Sequence, residues 1–185
     1  ASVTVAPTSV IGGGSVVVKV TLTRAAPTGG VSVTLRSTDP VTSVPPSVVV
    51  PSGATFATFT VSTSGVSLDR VVGIEGSVPG KVAMTSFKVL ASKLTGLSFP
   101  STPVPGGSAV IGTVTLSGKA PAGGLTVRLR SSTTAATVPG TVMVPEGSTN
   151  ATFTVTTTTV LADTVVPVTA VLNGETRSAS FKVLR

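Results

Sequence analysis

Slid by 94 positions, residues 1–91 overlay residues 95–185 without a gap, and 39 of the 91 overlaid pairs are identical. A self-match of that extent means one unit has been built twice. Ala26-Pro27-Thr28-Gly29-Gly30-Val31-Ser32-Val33 overlays Ala120-Pro121-Ala122-Gly123-Gly124-Leu125-Thr126-Val127. Ala57-Thr58-Phe59-Thr60-Val61 returns as Ala151-Thr152-Phe153-Thr154-Val155, and Ser86-Phe87-Lys88-Val89-Leu90 as Ser180-Phe181-Lys182-Val183-Leu184. The chain therefore divides into repeat 1, residues 1–92, and repeat 2, residues 93–185. Each is the size of an autonomous β-sandwich.

Inside each unit the apolar period is two. Val16, Val18, Val20 and Leu22 alternate with Val17, Lys19, Thr21 and Thr23. Val31, Val33 and Leu35 alternate with Ser32, Thr34 and Arg36, and Ala57, Phe59 and Val61 with Thr58, Thr60 and Ser62. Such runs are half-buried antiparallel strands with a core face and a hydroxyl face. Gly12-Gly13-Gly14, Gly29-Gly30, Asp39-Pro40, Pro45-Pro46, Pro51-Ser52-Gly53 and Pro79-Gly80 punctuate them as turns. The pattern predicts seven strands at 2–6, 15–24, 30–37, 47–50, 55–62, 70–78 and 82–90, with the second unit following at the same offset of 94. The expected core is Val18, Val20, Leu22, Val33, Leu35, Val48, Val50, Phe59, Val61, Val72, Ile74, Phe87, Val89 and their equivalents. The fold class is all-β, two tandem sandwiches. The last strand of the first unit runs through Ala91-Ser92-Lys93 into the next with no Pro/Gly/Ser-rich linker, which predicts an elongated pair with limited bending.

The residue inventory excludes whole classes of chemistry. There is no Cys, His, Trp or Tyr. That removes thiol and imidazole nucleophiles, Cys/His zinc sites and disulfides. Six acids, Asp39, Asp69, Glu75, Glu146, Asp163 and Glu175, form no recognisable catalytic pair and no Asp-rich calcium loop, so no enzyme activity, cofactor or metal is expected. Apolar runs are only a few residues long, so no membrane insertion is expected. The net charge of +7 comes without stacking aromatics or a recognisable module, so nucleic acid is not an expected partner. A polyanionic cell wall or acidic glycan remains open through non-specific attraction.

The run Val44-Pro45-Pro46-Ser47-Val48-Val49-Val50-Pro51-Ser52-Gly53-Ala54-Thr55-Phe56-Ala57-Thr58-Phe59-Thr60-Val61, repeated from Thr137-Val138-Pro139 to Val155, resembles the bacterial immunoglobulin-like (Big-type) repeats of large secreted and surface proteins. The resemblance covers nearly the whole chain, twice. It implies Greek-key immunoglobulin-like sandwiches and an extracellular or cell-surface location. It also implies a stalk, spacer or adhesive role beside neighbouring domains of the same larger protein. The repeat, the tight junction and the empty catalytic inventory favour a structural module acting as a stiff spacer. Two alternatives stay open: a binding module for cell wall, glycan or a protein partner, and accessory domains of a secreted enzyme. Edge-to-edge assembly also stays open.

Three charged positions recur: Arg36/Arg130, Asp69/Asp163 and Lys88/Lys182. They read as structural polar contacts, with Asp69 accepting backbone N–H bonds at a turn or pairing with Arg36. A Lys–Asp isopeptide, formed in some bacterial surface sandwiches, needs a buried lysine. Alternation with Phe87 and Val89 points Lys88 outward, so that bond is not expected. The candidate binding surface comprises Phe56, whose strand parity points outward, and Arg128 with Arg130, which share one strand face.

Overall fold

The computed structural model describes residues 1–185 and is built of strands and turns. It divides into two compact units, Ala1–Ala91 and Ser92–Arg185. The first holds β1 (Ser2–Ala6), β2 (Ser9–Ile11), β3 (Ser15–Thr21), β4 (Val31–Ser37), β5 (Thr42–Ser43), β6 (Ser47–Val50), β7 (Phe56–Thr63), β8 (Arg70–Val78) and β9 (Lys81–Leu90). The second holds β10 (Leu94–Ser98), β11 (Val104–Pro105), β12 (Ala109–Leu116), β13 (Leu125–Ser131), β14 (Ala136–Thr137), β15 (Thr141–Val144), β16 (Asn150–Thr157), β17 (Thr164–Leu172) and β18 (Glu175–Leu184).

In each unit a four-stranded sheet faces a five-stranded one. The orders are β1-β3-β7-β5 and β2-β9-β8-β4-β6 in the first, β10-β12-β16-β14 and β11-β18-β17-β13-β15 in the second. This is the immunoglobulin-like arrangement, antiparallel except where β2 lies beside β9 and β11 beside β18, with chain-crossing connections. Alternation does the sorting: Val16, Val18 and Val20 of β3 are buried while Val17 and Lys19 between them are exposed. Each fully buried valine contributes roughly 1.5 kcal/mol or more of transfer free energy.

Nine strands per unit, against the seven expected, arise because the chain changes sheet twice. β1 pairs antiparallel with β3, and after Pro7 the chain forms β2, parallel to β9. β5 pairs with β7, and after Pro45-Pro46 the chain crosses to pair with β4 as β6. Pro45 and Pro46 have no N–H to give a ladder, so neither sheet can hold them centrally. Val138-Pro139-Gly140 makes the same crossing in the second unit, where Gly140 accepts from Leu129 N at 2.9 Å. Runs of two or three residues carry no alternation, so they are invisible to a periodicity argument. The core also differs in detail. Leu22 and Val48 are only partly buried, while Val3, Val16, Ala26 and Val66 join the buried set.

The two recurring turn motifs bond to one another. Gly30 N donates to Pro27 O at 2.9 Å and Ala54 N to Pro51 O at 3.0 Å, with the third residues Gly29 and Gly53 at φ +96° and +77°. A positive φ at that position is what a type II turn demands. Ala26 N then donates to Ala54 O at 2.8 Å, and Gly53 N to Ala26 O at 2.9 Å. The second unit repeats the lock through Ala120, Gly147 and Ser148. Ala-Pro-x-Gly-Gly and Val-Pro-x-Gly thus recur together because they hold each other.

Candidate functional site

The recurring aspartates tie down the end of each unit's last strand. Asp69 Oδ1 accepts from Ala91 N at 2.8 Å, and Asp163 Oδ1 from Arg185 N at 3.2 Å. In the second unit Asp163 Oδ2 also meets Lys182 Nζ at 2.9 Å, both side chains about half exposed (48% and 47%). The burial that isopeptide chemistry needs is not present there. Lys88 points outward on β9 and is not ion-paired with Asp69. The pairing of Asp69 with Arg36 is corrected: Arg36 lies opposite Glu75 in the β4–β8 register, and the cation near this end is Arg70, bonded to Asp39 Oδ2 at 3.2 Å.

The Asp39–Arg70 pair has no counterpart in the second unit and was not legible from recurrence. Its local signal is the Asx turn: Val41 N donates to Asp39 Oδ1 at 3.0 Å. The second unit makes the same turn with a hydroxyl, Ala135 N to Thr133 Oγ1 at 3.1 Å. Thr63 and Thr157 were also missed. Both are buried on a core-facing parity, and Thr63 Oγ1 donates to Gly14 O at 2.8 Å while accepting from Gly13 N at 3.1 Å. Thr157 Oγ1 donates to Ser108 O at 2.7 Å. A core-facing threonine beside a glycine turn is the readable signal.

The backbone N–H of Val41, followed by Arg70, holds the Asp39 carboxyl below the usual carboxylate range. The ammonium of Lys182, followed by the Arg185 N–H, does the same for Asp163. A folded-state pKa below the unfolded value adds stability that is present above the ordinary value of 3.8 and lost as pH falls through the lowered one. The chain has no histidine. We therefore expect a thermal midpoint that is level from about pH 8 to about pH 5 and declines below about pH 4. Calorimetry on Asp39→Asn and Asp163→Asn should show part of that acid decline removed; an unchanged decline in both would contradict the assignment.

Phe56 is half exposed on β7, and Lys19 Nζ lies 4.2 Å from its ring centroid. A cation–π contact at an exposed site is worth about 0.5–1 kcal/mol. The second unit has Thr113 and Asn150 at these positions, so the pair belongs to the first unit alone. Arg128 and Arg130 project outward from β13, in register with Val171 and Thr169 of β17, and neither is ion-paired. Among carboxylates, no group of three or more comes together as a metal site.

No protein-family model and no curated protein matches the chain. Among solved structures it is similar to domains 4 and 5 of the S-layer protein SbsC, at 20% identity and a TM-score of 0.40, over 83% of this chain and 70% of that one. It is also similar to the adhesin InvE of Yersinia pseudotuberculosis, at 18% identity and a TM-score of 0.44, over 98% of this chain and 58% of that one. The BSP domain of a biofilm-associated protein follows at 22% identity and a TM-score of 0.32, over 96% of this chain and 28% of that one. The chain thus spans under two thirds of the length of the latter two.

Proposed function

We propose that the chain is a non-catalytic spacer: two Big-type immunoglobulin-like repeats that hold apart other parts of a larger bacterial surface or secreted protein. The observation that carries this reading is the connector, in which each residue is tied to a unit. Ala91 N is bonded to Asp69 in the first unit. Ser92 is buried and donates through Oγ to Lys119 O at 2.8 Å in the second. Lys93 N donates to Ser117 Oγ at 2.9 Å, and Lys93 O accepts from Ser117 N at 2.8 Å. No free linker residue is left between the last bond to one unit and the first bond to the other. A flexible tether needs several unrestrained residues.

The absence of cysteine makes spin labelling direct. With labels at Thr58→Cys and Thr152→Cys, both exposed strand positions, pulsed dipolar spectroscopy should give one narrow distance distribution. Adding Asp69→Ala and Ser92→Ala should broaden it. A broad distribution in the otherwise unaltered chain would sink the spacer reading.

A further inference from the structure

We propose that the outer face of the β11-β18-β17-β13-β15 sheet is a binding surface for a carboxylate-bearing glycan, with Arg128 and Arg130 as its anion contacts. The two repeats provide the argument, because each is a control for the other. On the five-stranded sheets, the eight positions of the four long-paired strands that are buried in the first unit keep six residues, whereas the fourteen outward positions keep five. The core has been held and this face has diverged.

At the arginines the divergence removes a facing acid, while elsewhere on the same face Ser77 has become Val171 and Val49 has become Met143. In the first unit Arg36 stands in register with Glu75, and Glu75 with Met84. In the second, Arg130 stands in register with Thr169, and Thr169 with Ser178. The acid has become a hydroxyl, the thioether has become a hydroxyl, and Thr34 has become Arg128. Val82 has likewise become Thr176. The result is two arginines separated by two strand positions, about 7 Å apart along β13. Around them stand the hydroxyls of Thr126, Thr141, Thr169 and Ser178, the last two 3.3 Å apart, together with Val171 in register with Arg128 and the exposed Met143 in register with Thr126. The nearby acids are engaged elsewhere. Glu175 has the opposite parity on β18 and lies 3.8 Å from both Lys93 and Arg177, while Asp163 holds Lys182.

An unpaired guanidinium is a planar fork that matches a carboxylate with two parallel hydrogen bonds. Charge complementarity therefore selects an anionic polymer, and a flat face of hydroxyls interleaved with Val171 and Met143 suits a sugar chain, which offers both hydroxyls and C–H faces. Nucleic acid fits less well, because no aromatic side chain on this face offers a base a stacking platform.

The test uses the whole chain and polygalacturonate as the probe, at about 0.15 M salt, where charges more than about 8 Å apart are largely screened. Neutral dextran and duplex DNA are the comparison polymers. The variant Arg128→Thr/Thr169→Glu gives this face the residues that the first unit already carries, so folding is retained. We expect retention on polygalacturonate and not on dextran, falling about tenfold or more in the variant as the bidentate contacts are lost. The reverse transplant, Thr34→Arg/Glu75→Thr, should add a second site of similar strength. Equal retention of the original chain and Arg128→Thr/Thr169→Glu would overturn the proposal, because general positive charge would then explain binding. Stronger retention on duplex DNA, or none on polygalacturonate, would overturn it as well.

Discussion

Gly112→Val should lower the stability of the second unit by about 3 kcal/mol, although it only restores the residue found at the equivalent position of the first. In the first unit Val18 of β3 stands in register with Val5 on one side and Phe59 on the other, and Val18 is fully buried. In the second, Gly112 is in register with Phe153, and Phe99 follows one step beyond the Ser98–Thr113 pair. Val5 has become Phe99 where Val18 has become Gly112. The phenylalanine fills what the glycine vacates. Its ring meets Phe153 edge-on at 5.9 Å and 87°, and Phe181 at 4.9 Å and 45°. A Cβ built on Gly112 would overlap Phe153 Cζ and lie 2.7 Å from Phe99 Cε1.

Phe99→Val alone should cost about 2 kcal/mol through the cavity it leaves. The double variant should cost no more than about 2 kcal/mol, a coupling of about 3 kcal/mol and the upper end for residues in contact. The chain has neither Trp nor Tyr, so calorimetry is the natural readout. For a domain of this size Gly112→Val should lower the second unit's transition by roughly 15 °C. Additive effects of the two changes would show that the aromatic cluster does not depend on the glycine.

That exchange also marks the limit of reading a core from periodicity. Alternation placed Val18, Val20, Val33, Val61, Val72 and Val89 inside, and they are inside, because a strand with one face buried has only two ways to point a side chain. The same rule carried to the second unit puts a glycine in the core. Only a neighbouring strand explains it, and strand neighbours are non-local. The short strands failed for a related reason: β2 and β5 are defined by their partners β9 and β7, not by their own pattern. Of the polar positions, Asp69 and Asp163 were visible because they recur. Their partner, a backbone N–H twenty-two residues downstream, has no side-chain signature. Arg128 and Arg130 were visible as a same-face pair. The loss of the facing acid, Glu75 to Thr169, acquires meaning only once the register puts those residues beside Arg36 and Arg130.

Gly124→Ala should destabilise the second unit by about 3 kcal/mol, whereas Gly147→Ala should cost only about 1 kcal/mol. Both glycines have positive φ, +77° and +73°, so both substitutions force an L-residue into the left-handed region, at roughly 1–2 kcal/mol. Both gain alike, by about 0.4–1 kcal/mol, from a less flexible unfolded chain. What separates them is space. A Cβ on Gly147 would have no atom within 4 Å, while one on Gly124 would lie 2.6 Å from Val144 O. A backbone carbonyl cannot rotate aside as a side chain can. Val144 is fully buried at the end of β15 and in register with Leu125, so relief requires moving the edge strand off β13. Gly30→Ala in the first unit, 2.8 Å from Val50 O, should fall between the two. Denaturation of the three variants ranks them. Equal losses for Gly124→Ala and Gly147→Ala would mean that conformation alone selects the second glycine of Ala-Pro-x-Gly-Gly. The expected order means that the motif ends in glycine because the next strand's backbone passes directly over it.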